Sequence, residues 1–432
     1  MIGEPLVMVC TCEMAGRVRG KGFPIEELQS RKKSGVGWVP TNTMISAFGP
    51  ILDTPFGTTG DLILVPDETA RVFVDFEDGT APEHWFLGDI RHTDGSPWAL
   101  CPREFLRRAV ADLEAETGLQ LLSSFEHEFV YTGIEDRAGA PYSLDAYRRQ
   151  GRFGEVFIAA VRAAGPEPDS FLPEYGARQF EVTVAPRLGL RAADDAVIVR
   201  EMARATALRL GHEVSFAPML DPAGTGNGVH IHFSLRDAEG RPVFWDGAGP
   251  YALAGRAQHF VAGILHHLPA LCAVTAPSTA SYFRLTPNRW APTAANIADR
   301  DRDASLRICP VLEVPGSDPA RQFNVEFRPA DAAASPYLAL AALVHAGVDG
   351  VRKRLALTDA SGMNGAGNDR ARARPLPRSL GEALDRLEAT AEARDWFGPV
   401  FLDAYLRHKR AEIRFLDGLT KAEQCRRYAQ TY

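Results

Sequence analysis

Residues 123–132, SSFEHEFVYT, set Glu126 and Glu128 two apart in a stretch that otherwise suits a buried strand. In an extended chain, residues i and i+2 share a face, and Phe125, His127 and Phe129 take the other. Two carboxylates on one buried face repel each other and resist ionisation unless a cation stands between them. Three further segments carry similar groups. Glu181 lies in the alternating run RQFEVTVAPR with Glu174 in the turn before it, His230, His232 and Ser234 share a face of NGVHIHFSL, and Glu326 precedes Arg328 in FNVEFRPAD. Carboxylates with few imidazoles and no thiolate suit hard divalent ions, Mg²⁺ or Mn²⁺, and several such ligands on neighbouring strands imply more than one ion. Taken singly each is ordinary, a solvated Glu or a hydrogen-bonded His. Arg284, Arg300, Arg302 and Arg307 fall close together in RLTPNRWAPTAANIADRDRDASLR. Such a run is ordinarily a solvated face offset by Asp299, Asp301 and Asp303. Beside a carboxylate cluster it suits phosphate and carboxylate oxygens held by forked hydrogen bonds.

The elements that must carry these groups can be read along the chain. Up to residue 97, PLVMVC, VGWVP, DLILVPD and ARVFVDFEDG read as separate short strands of a mostly-β unit, with EDG and TDG as turns. CPREFLRRAVADLEAETG then has helical spacing, Pro102 suited to the first turn and Gly118 at the end, which places a domain boundary just before it. LRAADDAVIVREMARATALRLG reads as an amphipathic helix closed by Gly211, and SPYLALAALVHAGVDGVRKRL as a helix with Ser335 as N-cap. Residues 358–378, rich in Gly, Asn, Arg and Pro, read as a mobile surface loop, and the last 50 residues as helical.

Composition narrows the class. The 432 residues carry 24% charged and 45% hydrophobic side chains and a net charge of −7, which fits a soluble globular protein without the basic footprint of a nucleic-acid binder. MIGEPLVMVC lacks the basic segment of a secretory leader, and HFVAGILHHLPALCAV, with His266, His267 and Pro269 in it, reads as a globular helix rather than a membrane span. A cytoplasmic protein is expected. Six cysteines are too sparse for a disulfide scaffold, and the Cys10/Cys12 pair reads as ordinary reduced thiols.

In combination and order, these segments resemble glutamine synthetase and its γ-glutamyl amide ligase relatives, through nearly the whole chain. EHEF is similar to the family's E-x-E strand, EYGARQFE to its E-x-x-P-G-Q-x-E segment and GNGVHIHFSL to its G-x-G-M-H-x-H-x-S strand. RLTPNRWAP and RDRDASLRI resemble the substrate flap and phosphate-binding arginines, and NVEFRPADAAASPYLALAA the R-x-E-x-R-x-P-D-x-x-x-x-P-Y-L strand and helix. The resemblance implies an α+β fold, with a β-grasp domain at 1–97 and a catalytic domain at 98–432 built on a curved antiparallel sheet with flanking helices. It implies one metal ion on Glu128, Glu174 and Glu181 and a second on Glu126, His230 and Glu326. It gives His232, Ser234, Arg302 and Arg307 to ATP, and Gly226, Arg284 and Arg328 to L-glutamate, with Arg302, Arg284 and Arg328 at the reacting groups. Family members place the active site between subunits of a ring, so a homo-oligomer, a dodecamer of two hexamers, is implied. The implied chemistry is sound: a carboxylate resists amine attack because oxide would have to leave, so γ-phosphoryl transfer from ATP first makes an acyl phosphate.

Three departures bear on the acceptor and the nucleotide. Trp290 stands where ammonium-using members have a flap Glu. ISAFGPIL offers Ala47, Phe48 and Gly49 where the neighbouring subunit's Asp would be, and no Asp lies between Arg31 and Leu52. Asn324 stands where an ATP-contacting Arg is frequent. Trp290 and Phe48 imply an organic amine as acceptor, to which Trp290 would present its ring face; an indole that merely packs the flap is the other reading. Ammonium-using glutamine synthetase and a non-catalytic homologue are the alternatives, and the complete set of six metal-type ligands weighs against the second; a polyamine is a further acceptor, though the sequence identifies no acidic pocket for its distal ammonium. No tyrosine occurs between 357 and 400, so adenylylation of a loop tyrosine is not expected.

Overall fold

The structure, a computed structural model, describes residues 3–248, 250–357 and 373–432. The first sheet holds β1 (Leu6–Cys12), β2 (Val18–Pro24), β3 (Val36–Trp38), β4 (Leu62–Val74) and β5 (Glu83–His92), with α1 (Leu28–Ser34) between β2 and β3. Its order is β2-β1-β5-β4-β3, with β1 and β5 parallel and the other pairs antiparallel. The two strands expected at DLILVPD and ARVFVDFEDG are one strand, β4, interrupted by a bulge between Pro66 and Arg71. Pro66 cannot donate to a ladder, and the Asp67 carboxylate accepts the Thr69 N–H (2.9 Å), turning the chain through the bulge. The central strand β5 gave no alternating signal because seven consecutive residues, His84–Ile90, are buried.

The second sheet uses β6 (Gln120–Tyr131), β7 (Pro168–Pro173), β8 (Gln179–Val184), β9 (Arg187–Leu188), β10 (Val214–Ser215) and β11 (Val229–Arg236). Beyond the two-residue β12 (Ala294–Ala295), it adds β13 (Ile297–Asp299), β14 (Leu306–Ile308) and β15 (Val325–Phe327). The order is β13-β14-β15-β11-β6-β8-β7, with β9 and β10 also on β6. The expected antiparallel sheet is found in every pair but one: β13 and β14 run parallel, which makes the sheet mixed at that edge. Of the segment read as a mobile loop, 358–372 lie outside the described residues, while Arg374–Pro375 form β16 and pair with β12.

The helices pack around this sheet. They are α2 (Pro102–Thr117), α3 (Leu144–Arg149), α4 (Phe153–Ala164), α5 (Leu190–Arg209), α6 (Gly255–Thr275), α7 (Ser281–Arg284), α8 (Pro319–Gln322) and α9 (Pro336–Lys353). Four more helices lie between Leu380 and Ala429. α2 begins at Pro102 and ends at Gly118, whose φ of +70° gives the left-handed turn. α5 was expected to be amphipathic but is buried nearly all round, with Asp194, Asp195 and Arg200 inside. Ser335 precedes α9 in extended conformation without capping it; its hydroxyl donates instead to Cys12 O, 3.4 Å away on β1. α6 is long and apolar enough to cross a membrane, yet 78% of that window is buried inside the fold. It lies against α9 where Gly263 meets Gly350; a Cβ on Gly263 would come within 2.1 Å of Ala346 O, so glycine is what permits the approach.

Candidate active site

Strand register brings the acids and imidazoles together. β6 opposes Glu128 to Glu181 of β8 and Glu126 to His230 of β11. β11 opposes His232 to Glu326 of β15, and β14 sets Arg307 against the same Glu326. The other face of β6 packs inward: Phe125, His127 and Phe129 are buried, and burial pushes the His127 imidazole down to about 3, keeping it neutral. Glu174 arrives from the turn after β7, where its N–H donates to Gln179 O (2.8 Å).

His230 Nδ1 lies 3.0 Å from Glu126 Oε2 and 3.3 Å from Glu326 Oε1, and its Nε2 lies 3.9 Å from Glu128 Oε1. His232 Nε2 is 3.2 Å from Glu126 Oε2. Glu126, His232 and Glu326 each offer a donor atom within 4.8 Å of the others, so His232, which the resemblance gives to ATP, also stands in the metal-type group. Asn324 orients it. The Asn324 amide nitrogen donates to Gln322 O (2.9 Å), which leaves its oxygen to accept from His232 Nδ1 (2.9 Å) and turns Nε2 toward Glu126.

Burial raises the Glu181 carboxyl to about 11, helped by the charges of Glu126, Glu128 and Glu174 around it. Glu174 is raised as well, first by burial and then by Glu128. Glu326 goes the other way: burial opposes it, but His230, Arg328, His232 and Arg307 together pull it down to about 2. A set of hard oxygen and imidazole donors in which Glu174 and Glu181 have no ion pair among the described residues fits divalent ions of the Mg²⁺ or Mn²⁺ kind.

Two cavities meet at Glu126. The larger, about 500 Å³, is lined by all the expected metal-type residues except Glu326, and also by Gly226, Arg284, Arg302, Arg328 and Trp290. The second, about 380 Å³, contains His232, Ser234 and Asn324. Arg302 lines the first cavity rather than the second, and Arg307 bonds Glu326 Oε2 at 2.7 Å. Arg328 also bonds Glu326. Among the described residues, the buried Nε atoms of Arg284, Arg307 and Arg328 have no acceptor, an arrangement that suits incoming anions. A Cβ on Gly226 would sit 2.6 Å from Arg284 Cγ, so this glycine makes room for the arginine. Phe48 is not brought to the cavity of its own chain; it packs on Phe415 and Tyr428, with ring centroids 5.3 and 5.1 Å away.

Three residues of the cavity were not anticipated. Tyr142 donates its hydroxyl to Glu174 (2.9 Å to Oε2), and the Tyr175 ring lies 5.2 Å from that of Trp290. Gln179 donates to Gly226 O (2.9 Å) and accepts from the Gly176 N–H (2.8 Å), joining the Glu174 turn to the Gly226 loop. Gln179 lies in the quoted EYGARQFE segment and was legible there; the two tyrosines reach the cavity from loops, which periodicity does not read.

Residues 99–428 match the catalytic domain of glutamine synthetase and residues 4–98 its N-terminal domain. The chain belongs to the glutamine synthetase family. Members of this family are ATP-dependent carbon–nitrogen ligases that use divalent metals. Similar members include γ-glutamylpolyamine synthetase GlnA3 of Streptomyces coelicolor, 35% identical over 96% of this chain and 90% of the relative. Another is γ-glutamylanilide synthase of an Acinetobacter species, 27% identical over 97% of this chain and 88% of the relative. A crystal structure described as a novel glutamine synthase homolog superposes with a TM-score of 0.93 at 40% identity, covering 100% of this chain and 99% of that one.

Proposed function

We propose that the protein phosphorylates the γ-carboxylate of L-glutamate with ATP and passes the acyl group to an organic amine, giving a γ-glutamyl amide. The observation that carries this reading is the Trp290 indole on the cavity wall, at the flap position where ammonium use needs a carboxylate. An indole can neither take the proton of ammonium nor pair with its charge. The amides named for the Streptomyces and Acinetobacter relatives, of a polyamine and of an aniline, support an organic acceptor.

In this reading Glu128, Glu174 and Glu181 hold one divalent ion, and Glu126, His230 and Glu326 another, with His232 beside them. Ions bound there would offset phosphate charge. His232 and Ser234 line the nucleotide end, so a γ-phosphoryl group entering from the second cavity meets the first at Glu126. Arg284 and Arg328 hold glutamate, while Arg302 and Arg307 take phosphate oxygens. Electrostatic positioning by fixed guanidinium groups then stabilises the charge that develops on the transferring phosphoryl group. Residues 1–97 act as the β-grasp domain and 98–432 as the catalytic domain of a cytoplasmic ring-forming homo-oligomer, a dodecamer. The free, buried state of all six cysteines supports a reducing compartment.

The test is phosphate release from ATP with L-glutamate and Mg²⁺ or Mn²⁺, across ammonium and alkyl, aryl and polyamines, with mass spectrometry of the products. A γ-glutamyl amide from an organic amine supports the reading. Turnover with ammonium alone would restore plain glutamine synthetase, and silence with every amine would favour a non-catalytic homologue. Trp290→Glu should raise ammonium use and lower organic-amine use; loss of the second without gain of the first would make the indole a packing residue.

A further inference from the structure

We infer that the acceptor is a monoamine whose non-reacting end is uncharged and apolar, an alkyl or aryl group laid against a wall made by Tyr175 and Trp290. The inference rests on the ligase reading above and narrows it.

The wall comes first. Both rings line the larger cavity and are more than half exposed, at 54% and 57%, large values for aromatic side chains. Their centroids are 5.2 Å apart with planes at 51°, the spacing of rings already in contact with each other. An ammonium group is caged when it sits over ring faces that stand apart to receive it. Here no such gap exists between the two rings, and together they offer one continuous apolar surface.

The wall is also held in place. Trp290 takes the left-handed region at φ +49°, and its carbonyl accepts from Arg328 (3.4 Å). The preceding Arg289 donates to Pro222 O (2.7 Å) and to Gly224 O, tying the flap to the loop before Gly226. Tyr175 directly follows Glu174, whose carboxylate accepts the Tyr175 N–H, and both residues line the same cavity. Surface fixed before the ligand arrives costs little ordering on binding.

The charges on this chain's own wall oppose the alternative. The acids lining this cavity are Glu126, Glu128, Glu174 and Glu181, all in the metal-type set, and every other charged residue on the wall is an arginine: Arg284, Arg289, Arg302 and Arg328. Among the described residues the cavity therefore has no spare carboxylate for a second ammonium, and a diamine or polyamine would bring its distal charge among guanidinium groups.

The test uses the full-length protein with ATP, L-glutamate and Mn²⁺. Hydroxylamine comes first, because glutamyl hydroxamate reports acyl activation with a small, strong nucleophile that needs no apolar wall. kcat/KM is then compared for butylamine and putrescine, which share a four-carbon chain and differ in the distal charge, and for benzylamine. The uncharged amines should exceed putrescine by about tenfold or more, and Tyr175→Ala should lower the benzylamine-to-hydroxylamine ratio by about tenfold through KM, while Tyr175→Phe keeps it. Hydroxamate formation with putrescine preferred, or with the ratio untouched in Tyr175→Ala, overturns the inference and leaves the ligase standing. No hydroxamate at all overturns the ligase reading and the inference together. The comparison of amines on the unaltered protein stands even if a variant fails to fold.

Discussion

Around Arg103, in the first turn of α2, three aspartates converge on one fully buried guanidinium. Asp194 accepts at 3.0 and 2.9 Å, Asp89 at 2.9 Å and Asp67 at 3.1 Å, and the Tyr337 hydroxyl donates to Asp194 at 2.6 Å. The cavity holds the reverse arrangement. Glu174 and Glu181 form no ion pair among the described residues, and the nearest strong influences on Glu181 after burial are other carboxylates. Both groups are costly to bury, and the fold compensates only one of them from its own chain. The charges around Arg103 are balanced by protein, whereas those of Glu174 and Glu181 are left to be balanced by what binds there.

Replacing Arg103 tests the first half of that contrast. Arg103→Leu leaves Asp194 and Asp89 buried with reduced compensation and should cost about 3–5 kcal/mol in urea denaturation; a loss under ~1 kcal/mol would mean the cluster is not structural. Glu128→Gln tests the other half. Glutamate-dependent phosphate release should fall on the order of 10²–10³-fold, with the urea midpoint in chelator unchanged or raised; an equal loss of stability would place Glu128 with the structural charges.

The pH response should separate the two groups further. Without an ion, Glu181 keeps its proton up to about 11, while the unfolded carboxyl releases it near 4.5. Between these values the folded state binds more protons, so this group's contribution to stability falls as pH rises, by at most about 1.4 kcal/mol per unit. An ion must displace that proton, so Mn²⁺ affinity should rise with pH by up to about tenfold per unit, with proton release seen by calorimetry in buffers of different ionisation enthalpy. Glu181→Gln should flatten both slopes.

The smallest contrast uses one chemistry in two places. Tyr337→Phe should cost about 1 kcal/mol of stability, since its hydroxyl serves a buried aspartate. Tyr142→Phe should change stability by less than about 0.5 kcal/mol, yet weaken Mn²⁺ binding by freeing Glu174; thermal denaturation with and without Mn²⁺ reads both.

Much of the site was legible because its residues sit two apart on strands. The Glu126/Glu128 and His230/His232 pairs declare a shared face locally, and register does the rest. The Arg103 cluster declared nothing, because Arg103 and Asp194 are 91 residues apart and Asp194 sits in a helix that looked amphipathic. β5 was hidden by burial on both faces and β2, VRGKGFP, by two glycines and a single buried residue. Tyr142 and Tyr175 act from loops, where position is set by tertiary contacts rather than by spacing.

Glu126 borders both cavities, so on the proposed reading ATP and glutamate would enter through different cavities without obstructing one another. Such a site imposes no order of arrival, and neither product need depart before the other substrate lands. Initial rates plotted for one substrate at fixed levels of the other would then give intersecting rather than parallel lines. On the proposed reading the acyl phosphate would wait at the partition between two doors, its lifetime set by the amine inferred to lie against the aromatic wall.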